Sequence, residues 1–187
     1  MPRKHGAYPS VREAILDVAE NLFLQGGVNG VSLQDIATVA NLSKGTLYYY
    51  YPTKESLVME LAHNNIEHIT DMLFSWVDSL SRGDNARSAL LSLVSDLTEN
   101  GMMGGFFMVL CSAAAMGDSS LRELLSSAFK EWVVMFEVGV LKLQSKNAAA
   151  LRNRSNMFFT MLLGFVFERQ GGISDPDREA LVDLFIR

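Results

Sequence analysis

The sequence predicts an all-α fold, and three observations carry that reading. Apolar residues recur at the 3.6-residue period in almost every segment, and none alternates as a strand would. Residues that start and stop helices fall where those periods begin and end. The 187 residues are 49% hydrophobic and 20% charged, with a mean hydropathy of +0.14, so the chain is globular and long enough to bury a real core.

In the first predicted helix Val11, Ala14, Ile15, Val18, Ala19, Leu22 and Phe23 share one face, with Arg12, Glu13, Asp17 and Glu20 opposite. Ser10 and Glu13 make a capping box at its start, and Gly26-Gly27 predicts its end. A short second helix begins at Ser32, boxed by Asp35, and buries Leu33, Ile36, Ala37 and Ala40; Asn41 then suits the left-handed residue that closes a helix. Ser43 caps a third helix through Lys44 to Tyr50, which Pro52 ends. The connection of about three residues forces the second and third helices to cross steeply, the helix-turn-helix arrangement.

Thr53 caps a long fourth helix with the stripe Leu57, Val58, Leu61, Ala62, Asn65, Ile66, Ile69, Leu73, Trp76, Val77 and Leu80. At about 1.5 Å per residue it reaches roughly 42 Å, enough to join two domains mechanically. Further helices are predicted over 85–100, 104–117, 119–145, 149–170 and 176–186, the last with Asp175 as cap and Pro176 at its first position. The predicted division is a helix-turn-helix domain over 1–52 and a larger helical domain over 53–187.

Several function classes are disfavoured. One cysteine excludes a disulfide within the chain and a cysteine-based zinc site, and His5, His63 and His68 are too scattered for a metal cluster. No nucleophile stands with a base, so neither a catalytic set, a metal nor a cofactor is expected. The N-terminus has no apolar stretch of the secretory kind, and the uncharged run 100–117 reads as a buried helix with its approach turn, so the expected place is the cytoplasm.

Chemistry concentrates around the third helix. A recognition helix must present small and polar groups at its N-terminal end, because base edges lie at the floor of a groove that bulky side chains cannot share. Lys44, Gly45 and Thr46 meet that need: Gly45 lets the backbone approach, while Lys44 and Thr46 can bond bases or phosphates. Tyr48 and Tyr49 can lie along the sugar-phosphate wall, and Lys54 in the first turn of the long helix sits where free amides add to its attraction for an anion. Four consecutive tyrosines, Tyr48 to Tyr51, cannot all face the core, since Leu47 already holds the inward position.

Ser32 to Ile36, then Ser43-Lys44-Gly45-Thr46-Leu47-Tyr48-Tyr49-Tyr50-Tyr51, then Lys54-Glu55-Ser56-Leu57 are spaced as in the TetR family of transcriptional regulators, whose DNA-binding domain residues 10–58 resemble. The resemblance implies that Ser32 and Gln34 touch backbone and bases, that Lys44, Gly45, Thr46 and Tyr49 enter the major groove, and that Tyr48 and Lys54 hold phosphates. Asn41 departs from the family's usual glycine, and Tyr50-Tyr51 from its common His-Phe; turn chemistry and ring volume accommodate both.

Beyond residue 80 the resemblance is one of layout. The segment Met157 to Phe167 is apolar all round and Leu121 to Leu143 is broad-faced, so both are expected to pack on the core and on a second copy, with Leu125, Phe129, Phe159, Leu162, Leu163 and Val166 in a twofold four-helix interface. Two recognition helices about 34–36 Å apart would then address successive major grooves of a palindromic operator. The nine methionines after Tyr51 and the aromatic residues suit an ordinary adaptable core; the family resemblance implies a cavity for a small lipophilic effector, drawn from Met72, Trp76, Phe106, Phe107, Cys111, Trp132, Phe136 and Phe158. Glu99, Glu137 and Glu168 are candidate polar partners for it, and Cys111 is expected to be a buried, inert thiol.

The expected function is ligand-responsive repression, in which an effector shifts the dimer to a conformer whose recognition helices no longer match the groove spacing, with the fourth helix as hinge. A helical carrier or sensor with a vestigial helix-turn-helix stays open as the alternative. The net charge of -5 opposes a phosphate partner only until it is divided between the two parts of the chain. Residues 1–54 hold five bases (Arg3, Lys4, Arg12, Lys44, Lys54) against four acids (Glu13, Asp17, Glu20, Asp35), a net of +1, so the rest carries -6.

Overall fold

The computed structural model describes residues 10–99, 103–143 and 148–186. Arg3, Lys4, His5 and the Glu99 side chain lie outside them. Among the described residues the chain forms nine α-helices and no strand: α1 (Val11–Gly30), α2 (Leu33–Val39), α3 (Lys44–Tyr50), α4 (Lys54–Ser79), α5 (Ala86–Glu99), α6 (Gly105–Ala115), α7 (Ser119–Leu143), α8 (Ala148–Gln170) and α9 (Arg178–Ile186). None of the described helices is long and apolar enough to cross a membrane. The chain divides into two units, Met1–His63 and Asn64–Arg187.

In the first unit α1 packs on α2 and α2 on α3. Ile15, Ala19 and Phe23 of α1, Ile36 and Ala37 of α2, Leu47 of α3 and Leu57 of α4 are fully buried. A large apolar side chain hidden in this way contributes about 1.5–3 kcal/mol, which is what holds such short helices in place. Both expected capping boxes form, Ser10 with Glu13 and Ser32 with Asp35. Each carboxylate accepts from the serine, and those bonds hold it below its ordinary pKa, 4.5 for Glu13 and 3.8 for Asp35.

The regular run of the first helix breaks at Gly27, within the Gly26-Gly27 pair that predicts its end, and a short helical stretch follows. Gly27, at φ 68 and ψ 165, kinks it, and helical structure resumes to Gly30 before Val31 turns extended. A residue with a side chain rarely adopts that φ, so the glycine breaks the helix without stopping the chain's course. Asn41 takes φ 54; its amide donates to the Thr38 carbonyl and that of Leu42 to the Ala37 carbonyl, the paired bonds of a Schellman close. Asparagine thus does the work of glycine here, and four residues, 40–43, separate α2 from α3.

In the second unit α7 packs on α6 and α8, while α9 packs on α5 and α8. Its centre is aromatic. The Phe136 ring stacks on Phe158 at 4.5 Å and on Trp76 at 5.9 Å, and Trp132 meets Phe107 at 5.9 Å and Phe129 at 5.2 Å. Both indoles are anchored, Trp76 Nε1 donating to the Ala89 carbonyl at 3.0 Å and Trp132 Nε1 to Thr70 Oγ1 at 2.8 Å. Arg87 of α5 pairs with Asp183 at 2.7 Å and Glu179 at 2.8 Å on α9.

The last helix starts later than its sequence suggests. Asp177, not Asp175, caps it: the Asp177 carboxylate accepts from the Glu179 amide at 2.8 Å and its carbonyl from the Leu181 amide. Pro176 therefore precedes the cap instead of opening the helix. Two aspartates flank the proline, and the one closer to the apolar residues Leu181, Val182 and Phe185 takes the role, because burial of those side chains decides where the helix begins.

Candidate nucleic-acid interface

Short helices present a defined face only when their ends are fixed, and α3 is fixed at both. Ser43 Oγ accepts from the Thr46 amide at 3.0 Å, and at the other end the Tyr51 amide donates to the Leu47 carbonyl. Leu47 is fully buried, so it pins the helix by its inner face. What remains outward is Lys44, Gly45, Tyr48, Tyr49 and Tyr50, with Thr46 half-buried. The tyrosine run divides as the crowding argument requires: Tyr51 is 2% exposed and Tyr49 82%.

The outward groups are arranged with little help from the core. Lys44 Nζ lies 5.4 Å from the centre of the Tyr48 ring, a cation over an aromatic face, and Tyr49 meets Tyr50 edge-on at 5.3 Å. Thr46 Oγ1 and Ser43 Oγ share a hydrogen bond of 2.8 Å. A Cβ placed on Gly45 would come no closer than 3.8 Å to Ser43 Oγ. The fold has room for a larger residue there and makes no use of the glycine.

Two of the expected contact residues are engaged inside the protein. Ser32 Oγ accepts from the Asp35 amide and donates to the Asp35 carboxylate at 2.6 Å, so its hydroxyl serves the cap of α2. Gln34, two residues on, is exposed. Lys54 Nζ donates to the carbonyls of Val28 at 2.9 Å and Val31 at 3.1 Å. Arg12, which sequence reasoning placed on a solvent face, reaches Glu60 at 2.7 Å and the Tyr51 hydroxyl at 3.4 Å. Nothing in the spacing of these residues signals either arrangement, because one partner is backbone and the other lies 48 residues away.

The remaining expected residues lie in the second unit. Trp76, Phe106, Phe107, Trp132, Phe136 and Phe158 are buried and Met72 and Cys111 half-buried, with the Phe136 ring stacked on Trp76 and Phe158. Burial pushes the Cys111 thiol up to about 11, which keeps it protonated and a poor nucleophile at neutral pH. Glu137 pairs with Arg152 at 3.3 Å, and Glu168 accepts from Ser174 Oγ at the surface.

Of the six residues expected to meet a second copy, Leu125, Phe159, Leu162 and Val166 are buried within the protomer, and Phe129 and Leu163 are half-buried. An all-round apolar helix does not reveal which side faces inward. The outer faces of α7 and α8 instead carry exposed Val134, Val138, Leu141, Met157 and Phe167. Between these helices runs a groove of about 310 Å³, to which Phe129, Val133, Phe159 and Leu163 give an apolar lining beside Lys130 and Asn156.

Comparison with known proteins agrees with this anatomy. Residues 15–61 match the family described as bacterial regulatory proteins, tetR family. The HTH-type transcriptional regulator LmrA of Bacillus subtilis is 28% identical over 158 residues, which take in 79% of this chain and 82% of LmrA. YuxN, another B. subtilis HTH-type regulator, is 33% identical over 46% of this chain and 28% of its own length. The HTH-type transcriptional repressor KstR2 of Rhodococcus jostii is 30% identical over 45% of this chain and 40% of its own. The chain thus spans well under two thirds of YuxN and KstR2. The crystal structure of a TetR transcriptional regulator from Legionella pneumophila superposes with a TM-score of 0.75 over 96% of this chain and 97% of that one, at 19% identity, a likeness of fold. The N-terminal module thus matches the family of bacterial regulatory proteins described as tetR, and the whole chain shares the all-helical fold of a TetR transcriptional regulator of known structure.

Proposed function

We propose that this protein is a cytoplasmic transcriptional repressor that binds a palindromic operator as a homodimer and lets go of it when a small lipophilic effector binds. The observation that carries the DNA-binding part is the outward face of α3. Lys44, Gly45, Tyr48 and Tyr49 are held in fixed register by a helix whose own packing uses none of them, and Gly45 occupies a position where the fold tolerates a side chain. Exposed aromatic rings and a helix-weakening glycine cost stability unless something outside the chain uses them. A major groove does: Gly45 admits the backbone, Lys44 and Thr46 address bases or phosphates, Tyr49 reaches furthest, Tyr48 lines the wall and Gln34 approaches from α2.

One such helix makes too few contacts for a selective complex, so the exposed apolar faces of α7 and α8 are assigned to a second copy. Met157, Phe167, Val138 and Leu141 then replace the buried residues as the interface core. The effector is placed among the aromatic side chains of the second unit, where it stabilises one packing of Trp76, Phe136 and Phe158 over another. It releases DNA only to the extent that it binds the two conformers differently. The name of KstR2 supports repression as the sense of the response.

The test uses a duplex selected from a random pool by the wild-type chain. Its affinity should fall steeply with log salt, and Lys44→Ala with Tyr49→Ala should abolish selective binding. Unchanged binding by the double variant overturns the recognition assignment. A chain that selects no duplex yet binds a lipophilic compound is a carrier instead. Met157→Glu with Phe167→Glu, both at exposed positions, should sediment as a monomer and lose the duplex; a persisting dimer moves the interface elsewhere.

A further inference from the structure

The α1–α2 corner poses a problem that its own residues leave unsolved. The last carbonyls of a helix have no partner within it, and they concentrate the negative end of the helix dipole. α1 has no basic residue in its last turn to answer them, and beyond the Gly27 kink only three residues of helix remain before Val31 turns extended. The answer comes from the start of α4. Lys54 Nζ donates to Val28 O at 2.9 Å and Val31 O at 3.1 Å, two charge-assisted bonds from one half-buried ammonium.

Those two carbonyls lie immediately before the point from which α2 is launched. Val31 is followed directly by Ser32, the cap of α2, whose side chain and amide are boxed with Asp35. Three residues after Val31 stands exposed Gln34. At its other end α1 is held to the same helix by the Arg12–Glu60 pair at 2.7 Å. α4 therefore grips α1 at both ends, and the grip at the corner also fixes where α2 begins. Two of the three donors of the ammonium are taken by these carbonyls, and moving it out towards a phosphate would break both bonds and strand two carbonyls at a helix terminus.

From this we infer that Lys54 is a positioning residue: it ties the first turn of α4 to the α1–α2 corner and so sets the angle at which Gln34 and α2 meet DNA, and it does not neutralise a phosphate. The inference rests on the DNA-binding reading for its effect on affinity, but the tie itself exists in the free protein. Arginine carries the same charge on a larger planar head whose donors point apart, so in this seat it is expected to hold at most one of the two carbonyls.

Three measurements decide it. In the free protein, Lys54→Met should speed hydrogen exchange about tenfold at the amides of Asp35 and Ile36, leaving those of α7 unchanged; unaltered exchange at the corner overturns the tie, whether or not the chain binds DNA. On the selected duplex, Lys54→Met should weaken affinity about tenfold with the slope of log affinity against log salt unchanged. A slope shallower by about 0.9 means a phosphate contact and overturns the inference. Lys54→Arg keeps the charge and should bind as weakly as the Met variant, whereas recovery to wild-type affinity also overturns it. If the wild type selects no duplex, the proposed function fails while the exchange measurement still decides the role of Lys54.

Discussion

Two glycines inside helices, Gly45 in α3 and Gly139 in α7, meet opposite surroundings. A Cβ on Gly139 would lie 2.2 Å from Cζ3 and 2.6 Å from Cη2 of Trp76, whereas on Gly45 its nearest neighbour would be Ser43 Oγ at 3.8 Å. Helix propensity disfavours both residues equally, by about 1 kcal/mol relative to alanine. At Gly139 the fold recovers that cost, because the missing side chain is the seat of an indole that stacks on Phe136 and bonds to the Ala89 carbonyl. At Gly45 the fold recovers nothing. A residue that local structure does not need, on a face the core does not use, points to a partner outside the chain.

The comparison breaks first at Gly139. Gly139→Ala drives a methyl into the face of a buried ring, and overpacking of this kind costs about 1–3 kcal/mol. For a chain of this size that should lower Tm by roughly 2–12 °C, and the Trp76 fluorescence should shift as the ring is displaced. In a Trp76→Leu background the same substitution should cost much less. An equal cost in both backgrounds would show that the indole is not what the glycine accommodates.

Gly45→Ala should do the reverse. Stability stays level or rises by up to about 0.5–1 kcal/mol, while affinity for the selected duplex drops about tenfold, or roughly 1.4 kcal/mol. Tighter or unchanged DNA binding would sever Gly45 from recognition and leave its place in α3 unexplained by the proposed function.

The first unit was legible in the sequence because its signals are local. Ser10-Glu13, Ser32-Asp35, Ser43 and Asn41 each act within four residues, and the structure places all of them as capping chemistry dictates. What the sequence hid has partners far away or on the backbone: Lys54 on two carbonyls, Arg12 on Glu60, Trp132 on Thr70. The second unit was legible as helices but not as faces. A segment such as Met157 to Phe167 is apolar in every direction, so its period carries no information about which side meets the core, and Leu162 and Val166 could not be told from Met157 and Phe167 until packing was seen. The same blindness explains the start of α9, where Asp175 and Asp177 offer equivalent caps and only burial chooses.

The next largest effect separates ring packing from polar anchoring in the second unit. Trp132→Phe keeps an aromatic side chain against Phe107 and Phe129 but removes the donor to Thr70 Oγ1. Thr70 Oγ1 still donates to the Ile66 carbonyl at 2.8 Å, so the loss should be that of one hydrogen bond and some ring area, about 1–2 kcal/mol by urea titration. Thr70→Val should cost a similar amount, and the double variant little more than either alone, since both remove the same bond. Full additivity would mean that the two residues act independently.

The smallest effect is the response to acid, which tests whether the two units share one stability. Glu13 and Asp35 are both held below their ordinary values of 4.5 and 3.8 by their serine partners. A carboxylate with a depressed folded pKa contributes stability that is fully present above its unfolded value and is lost as pH falls through the folded one. The contribution should therefore be intact at pH 6, begin to fade near pH 4.5 and disappear below the depressed values. Glu13→Gln with Asp35→Asn should flatten that acid limb and leave stability near pH 3 nearly unchanged. The chain supplies its own reporters, because all five tyrosines lie before residue 52 and both tryptophans, Trp76 and Trp132, after it. If the units unfold independently, the double variant alters acid unfolding followed by tyrosine circular dichroism and leaves the tryptophan transition where it was. If it moves both transitions together, the caps of α1 and α2 stabilise the whole chain, and the contrast between a locally encoded unit and a packing-encoded one holds for structure but not for stability.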